Sequence, residues 1–455
     1  MLFLIAVATI FLFSFSFFIF IFAKKTKKLS LLFIHLLYFF YLISPPKDVL
    51  IKLNIEEGNF QKSPFVVKLY IENKTENAVF YDLKGNIASL DRKQARYIAQ
   101  KIYLKSKEKK EIPLQFSLNY PQTYFLQVYL QQNNKTIQKT ETLLAYQLEK
   151  IVSNANIPTD FDDFWADIRK QLDNKNPEFS LKTFPKFSNH LYTMYEVEMI
   201  SFDGLVLVGW YRVPKKAGKH KAILQLPPLG GKFMRVYTLA ENETYGIPPE
   251  YAVLSLNIRN HGKSEGHSFK NFTELVAYQA IDKEKYFYCG AIADAWRGLD
   301  FLAQRPEIDK DKIITEGASQ GGGLALWLAG LDKKVALSCP DVMFLSDWEQ
   351  LWNITSWVKF EMNQYIKQNK NITEWQIKQN LRYFDLKNIA NQVKIPVLVS
   401  AGLQDWTCPA QTIMATYQKI NHHQKEFVLY PNGKHDGGNK IHRKYKFQWI
   451  EKQLN

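Results

Sequence analysis

Cysteine is scarce: Cys289, Cys339 and Cys408 are the only three in 455 residues, and their spacing suits no metal site. A disulfide framework and a thiolate metal centre are thereby excluded. Arginine-rich stretches and basic patches interleaved with aromatics are also lacking, so no nucleic-acid surface is expected. The formal charge of +15 comes from lysines spread along the whole chain, a balance that favours anionic surfaces such as membrane headgroups only in a general way. Between Asp48 and Leu148 there is no histidine, and the carboxylates are scattered among lysines. That stretch therefore carries no recognisable chemistry. With 46% apolar and 23% charged residues the chain is not disordered, and its length exceeds one typical domain.

What is present begins with an uncharged apolar run, Met1 to Ala23, closed by Lys24-Lys25-Thr26-Lys27-Lys28. It is long enough to cross a bilayer, and the lysines should stay cytoplasmic. A second apolar run, Leu29 to Ile43, ends at Ser44-Pro45-Pro46 and suits the hydrophobic region of a signal peptide. Whether it is cleaved or kept as half of a hairpin, residues 1–46 are expected to put the remainder outside the cytoplasm. No cysteine lies near Ser44, which excludes a lipoprotein anchor.

From 48 to 150 the pattern has period two. Val67, Leu69 and Ile71 alternate with polar residues, as do Ile112, Leu114, Phe116 and Leu118, and then Leu126, Val128 and Leu130. Polar turns are expected at Glu72-Asn73-Lys74 and Asn133-Asn134-Lys135. A small antiparallel β-sandwich follows, read first as a spacer or oligomerisation module and second as a carbohydrate binder through exposed Tyr and Phe.

Near Ile157-Pro158-Thr159 the period changes to helical, with Asp160 as cap and Phe161, Phe164, Trp165 and Ile168 on one face. Two strands joined at Asp203-Gly204 come next. Short β-branched or aromatic runs at 221–226, 252–258, 312–315, 335–338, 396–401 and 426–430 then alternate with helical stretches. That order predicts an α/β domain over 154–455, a mostly parallel sheet covered on both faces. Residues 344–391, rich in tryptophan, interrupt the alternation where a helical lid would be built.

Gly317-Ala318-Ser319-Gln320-Gly321-Gly322-Gly323 lies between an apolar run and a helix-like run. A serine on a sharp strand-to-helix turn, flanked by small residues, is lifted out of the backbone at a helix N-terminus, where free N–H groups can hold an oxyanion. Such a nucleophile needs an imidazole and a carboxylate, which follow in the order Ser, Asp, His in this architecture. Asp405 stands just past the strand at 396–401. His435 lies in the loop after the last strand, whereas His422 and His423 precede that strand and His442 begins the terminal helix. The oxyanion donors are expected to be the N–H groups of Gln320 and Leu229, because Pro227 and Pro228 have none to offer.

Several stretches together are specific: Asp160-Phe161-Asp162-Asp163-Phe164-Trp165, Ser201-Phe202-Asp203-Gly204, Gly317 to Leu326, Tyr383-Phe384-Asp385, Gly402-Leu403-Gln404-Asp405 with Cys408-Pro409, and Gly433 to Gly438. From about Asn154 to Gln453 the sequence resembles the acetyl xylan esterase and cephalosporin-C deacetylase family, carbohydrate esterase family seven. The resemblance implies an α/β-hydrolase that removes acetyl groups from sugar hydroxyls without a metal or organic cofactor, as a homo-oligomer, often a ring-shaped hexamer. Three motifs depart from that family. Its R-G-Q-G-x-S stands here as Arg259-Asn260-His261-Gly262-Lys263-Ser264, its H-E pair as His435-Asp436, and its H-G-Y-G-G loop as Pro227-Pro228-Leu229-Gly230-Gly231, with Leu in place of the aromatic that confines a small acyl group. The expected partner is a small ester or acetylated saccharide. A prolyl-oligopeptidase-type peptidase and a catalytically silent surface-binding module are the alternatives.

Overall fold

The computed structural model describes residues 48–54, 58–230, 247–267, 269 and 271–454. The apolar segments 1–46 lie outside these. Among the described residues no helix is long and apolar enough to cross a membrane.

Eight strands form the first unit: β1 (Val49–Asn54), β2 (Asn59–Phe60), β3 (Phe65–Asn73), β4 (Val79–Ser89), β5 (Ala95–Leu104), β6 (Lys109–Phe116), β7 (Gln122–Gln132) and β8 (Lys135–Tyr146). They build a three-stranded sheet, β1-β3-β6, and a five-stranded sheet, β2-β8-β7-β4-β5. Period-two burial puts Val67, Leu69 and Ile71 of one sheet against Leu83, Leu126 and Val128 of the other in one core. The turn expected at Glu72-Asn73-Lys74 begins two residues late, at Lys74. Asn73 belongs to β3, is fully buried, and donates its amide to the carbonyls of Asn77 (2.8 Å) and Lys105 (2.9 Å).

Helix α1 (Phe161–Asn174) follows, with Phe161, Phe164, Trp165, Ile168 and Leu172 on its buried stripe. Each large side chain contributes about 1.5–3 kcal/mol on leaving water. Asp160 occupies the N-cap position but its side chain makes no capping bond. Its carboxylate is engaged instead by Lys283 Nζ at 2.5 Å and by the Tyr383 hydroxyl, a cation and a strong donor that outcompete a backbone amide.

The second sheet has nine strands: β9 (Ser180–Thr183), β10 (Tyr192–Ile200), β11 (Val206–Pro214), β12 (His220–Leu226), β13 (Ala252–Leu256), β14 (Ile308–Ala318), β15 (Leu337–Asp341), β16 (Val397–Gly402) and β17 (Lys425–Tyr430), ordered β17-β16-β15-β14-β12-β13-β11-β10-β9. The six strands from β17 to β13 are parallel, and β11, β10 and β9 add on antiparallel. Alternate residues of the parallel strands feed two cores. Ala222, Leu224, Leu254 and Ile313 meet α1, α2 (Phe287–Gln304) and α3 (Gln320–Leu331); Ile223, Val253, Ile314 and Leu398 meet Trp449 and Ile450 of the terminal helix. Three helices, α4 (Trp348–Ile354), α5 (Ser356–Gln368) and α6 (Glu374–Leu381), and one further helical turn, Leu386–Ile389, form the insertion between β15 and β16. After β16 comes α7 (Ala410–Tyr417), and α8 (Asn439–Leu454) closes the chain.

Candidate active site

Ser319 is the hinge between β14 and α3, and its backbone sits at φ 58°, ψ −119°. A non-glycine residue held there costs on the order of 1–3 kcal/mol. The surroundings compensate: Ser319 N–H donates to Asp341 O at 2.9 Å, and Ser319 O accepts from the N–H groups of Gly323 (3.0 Å) and Phe344 (2.9 Å). Glycines are required on both sides of it. A Cβ on Gly317 would come within 2.5 Å of the Gly321 backbone, and one on Gly321 within 2.1 Å of Leu226 O.

Asp405 lies three residues past β16 and is almost wholly buried. Its Oδ1 accepts from the N–H groups of Thr407 (2.7 Å) and Cys408 (3.0 Å), which leaves Oδ2 for His435 Nδ1 at 2.8 Å. A carboxylate can only accept, so Nδ1 carries the proton and the Nε2 lone pair is free to act as a base. His435 sits five residues past β17, on a loop fixed to the acid loop by Gln404 N–H to Gly433 O at 2.8 Å.

Cys408 closes the arrangement. Its N–H is held by Asp405 while its thiol lies beside the Ser319 side chain, and burial, with the Asp405 charge, pushes that thiol well above its ordinary pKa. The thiol is therefore a neutral spacer between hydroxyl and carboxylate. Serine, aspartate and histidine thus stand at the same edge of the sheet. Among the described residues the Ser319 hydroxyl makes no hydrogen bond to His435, a contact that often tightens only with substrate bound.

The residue after the serine is locked by its side chain. Gln320 Oε1 accepts from the Tyr288 hydroxyl at 3.2 Å, and its Nε2 lies 3.3 Å from Pro227 O and 3.1 Å from His261 Nε2. His261 Nδ1 is 2.9 Å from Arg259 O, so the ring is neutral with its proton on Nδ1 and offers Nε2 as an acceptor. Burial lowers its pKa, and the carbonyls of Arg259 and Pro228 offset only part of that. As the first residue of α3, Gln320 has an N–H with no intrahelical acceptor. Pro227 O ties the loop carrying Leu229 to the same amide, so the two candidate oxyanion donors are linked through one side chain.

Beneath Ser319, Asp341 faces Lys446 Nζ, lies 3.0 Å from His442 Nε2, and accepts from Ser400 Oγ at 2.8 Å. Burial disfavours its charge, but Lys446 and His442 outweigh this and hold its carboxyl well below the usual range. The other three late histidines are thereby placed away from the acid: His442 against Asp341 and Tyr430, and His422 stacked on His423 ahead of β17. Sequence reasoning missed Tyr288 and the locking role of His261. The altered Arg259-to-Ser264 motif was the signal available for the latter.

The residues from 141 to 453 match the model of the acetyl xylan esterase (AXE1) family, more than two-thirds of the chain. The chain belongs to the acetyl xylan esterase family. Membership places it among the carboxylic-ester hydrolases of α/β-hydrolase fold. It is 24% identical over 309 residues to acetyl esterase Axe7A of Xylanibacter ruminicola, spanning 65% of this chain and 67% of that protein. It is also 27% identical over 280 residues to the alpha/beta hydrolase domain-containing protein WAV2 of Arabidopsis thaliana, 60% of this chain and 83% of that one. Of solved structures, the acetyl xylan esterase of a Paenibacillus species superposes with a TM-score of 0.60 at 27% identity, over 68% of this chain and 99% of that one. Acetyl xylan esterase 1 of a Thermoanaerobacterium species gives 0.59 at 22% identity, over 68% and 98%, a likeness of fold.

Proposed function

We propose that the chain is a serine carboxylesterase that removes acetyl groups from the hydroxyls of saccharides, with Ser319 as nucleophile, His435 as base and Asp405 as its orienting acid. The observation that carries this reading is the 2.8 Å bond from His435 to Asp405, an acid whose other oxygen holds the backbone of Cys408, the residue beside Ser319. Ser319 Oγ attacks the ester carbonyl as His435 Nε2 takes its proton. The oxyanion of the tetrahedral intermediate is held by the N–H groups of Gln320 and Leu229, each worth roughly 3 kcal/mol. Collapse expels the sugar alkoxide, which takes the proton from His435. Water, deprotonated by the same ring, then attacks the acetyl-enzyme and releases acetate.

In this reading residues 48–150 are an accessory β-sandwich domain and 154–455 the esterase domain. The apolar segments 1–46 direct both out of the cytoplasm, either cleaved as a signal or kept as a membrane anchor, and the esterase domains assemble as a homo-oligomer. No metal or cofactor enters the scheme.

The test is acetate release from acetylated xylo-oligosaccharides, together with labelling by a fluorophosphonate probe. Both are expected for the natural chain and neither for Ser319→Ala. Retained turnover in that variant would sink the assignment.

A further inference from the structure

The outer face of the five-stranded sheet runs directly into the acid loop of the esterase site. Phe125 of β7 packs edge-on against Trp406 at 4.9 Å between ring centroids, and Trp406 follows Asp405 in the chain. In the same cross-strand row, Leu143 is hydrogen-bonded through its backbone to Gln404, the residue before Asp405. Moving away from the site along β7 and β4, every second residue points outward. The next rows are Tyr97, Asn86, Gln127 and Glu141, then Lys84 and Tyr129, then Lys101, Asp82 and Gln131, and last Phe80 with Tyr103. From Ala88 to Phe80 this face is about 27 Å long, at roughly 3.4 Å per residue.

Three of its rings lie open to solvent: Tyr97 is 76% exposed, Phe80 68% and Tyr103 45%. Phe80 pairs with Tyr103 at 4.8 Å and lines, with Asp82, Lys101 and Gln131, a cleft of about 500 Å³. Tyr97 and Tyr103 stand on the edge strand β5, where exposed aromatics invite aggregation unless something uses them. Charges or amides fill the three rows between the Phe125 row and the Phe80–Tyr103 pair, so burial of this face against an apolar protein surface or a bilayer would strand them without partners. A sugar ring meets both features at once. Its C–H face stacks on the electron-rich face of an aromatic, and its hydroxyls bond to amides and carboxylates at the rim.

We propose that this face is a glycan-binding track, taking a linear acetylated polysaccharide chain and leading it to the mouth of the Ser319 site past Trp406. The proposal rests on the saccharide-esterase reading for the identity of its ligand. It assigns the accessory sheet a substrate-positioning role at a distance from the chemistry.

The test is affinity gel electrophoresis of the full chain in acetylated xylan, using Ser319→Ala so that the ligand is not consumed, and the same chain with Phe80→Ala, Tyr97→Ala and Tyr103→Ala added. Binding is expected to weaken about tenfold in the combined variant, as when a few aromatic anchors are removed. In the chain that keeps its natural Ser319, the same three changes should raise KM for the polymer to a similar extent and leave kcat/KM for p-nitrophenyl acetate within about twofold. The single changes Phe80→Tyr and Tyr103→Phe keep the rings and should keep binding, which separates stacking from misfolding. Unchanged retardation of the combined variant would overturn the track, as would its conversion of a dimer to a monomer by sedimentation without loss of polymer binding. A natural chain that deacetylates oligosaccharides but is not retarded by any polymer removes the track and leaves the esterase reading standing. Retardation with no acetate released from any saccharide does the reverse.

Discussion

Gln404 and Leu143 hold each other reciprocally: Leu143 N–H donates to Gln404 Oε1 at 2.9 Å, and Gln404 Nε2 donates back to Leu143 O at 2.9 Å. The same Gln404 side chain also takes up Thr142 Oγ1 (3.1 Å) and Pro431 O (2.9 Å), so β8, the acid loop and the histidine loop meet on one amide. Gln404→Ala leaves a buried strand amide and carbonyls without partners, at a cost of about 1–3 kcal/mol. It should also let Asp405 drift. The expected result is a lower Tm and a several-fold fall in kcat for p-nitrophenyl acetate with little change in KM, measured by thermal denaturation and steady-state kinetics.

Asp405→Asn tests the acid by chemistry rather than by packing. The amide oxygen can still accept from Thr407 and Cys408, but the amide nitrogen then faces His435 Nδ1 and selects the tautomer with Nε2 protonated. Such a ring cannot take the Ser319 proton. A fall in kcat on the order of 10⁴ is expected with Tm nearly unchanged. Comparable activity in the variant would show that Asp405 does not orient the base.

Lys446 and Asp341 form a buried ion pair under the serine turn, and Asp341 O receives the Ser319 N–H. Lys446→Met leaves that carboxylate with only Ser400 and His442, which costs about 3 kcal/mol. The folded-state pKa of Asp341 is depressed, so its stabilisation is complete above about pH 4, the ordinary carboxylate value, and is lost as pH falls further. Without Lys446 the carboxyl neutralises at higher pH. The Tm deficit of the variant should therefore be largest near neutrality and shrink in acid, a trend that thermal denaturation across pH 3–8 would read directly.

Much of this architecture was legible in the sequence for definite reasons. The parallel strands β12, β13 and β16 are short, largely buried apolar runs, so they stand out from the helices between them. The turns carrying Ser319, Asp405 and His435 are marked by glycines and prolines that only tight loops need. Strands β4 and β5 carry no clear alternation, because aromatics (Phe80, Tyr97, Tyr103) stand on their outward face while Gly85 and Gln100 fall at inward positions, and β5 forms the sheet edge. Nor does any local pattern announce that Phe125 meets Trp406 or that Tyr288 meets Gln320. Those contacts join residues 281 and 32 positions apart and depend on how the finished sheets dock.

His261 gives the site a dependence on pH separate from that of its base. The folded ring is held neutral by burial, with a pKa below the ordinary value near 6.5, so folding is most favoured above that pH and loses stability as pH falls through it. Protonation also removes the lone pair that Gln320 Nε2 uses. His261→Gln supplies an amide oxygen that does not titrate over this range. Its Tm should fall less than that of the natural chain between pH 7.5 and 5, and an identical pH dependence in the two proteins would show that this ring plays no part in the acid response.

In the proposed mechanism Leu229 holds the oxyanion through its N–H, which puts its side chain where it would limit the size of the acyl group. The side chain is partly buried against the main core beside Pro227 and Pro228, where a branched aliphatic group leaves more room than a phenol would. Filling that space with Leu229→Tyr should exclude longer acyl chains while acetyl still fits. One methylene of misfit is worth about 1–3 kcal/mol, so the ratio of kcat/KM for p-nitrophenyl acetate to that for p-nitrophenyl butyrate should rise about tenfold or more. The change acts on one wall of the acyl pocket and leaves the backbone donor in place, so activity on acetate itself should stay within a few-fold. A parallel loss on both esters would mean that the loop had moved rather than that the pocket had narrowed.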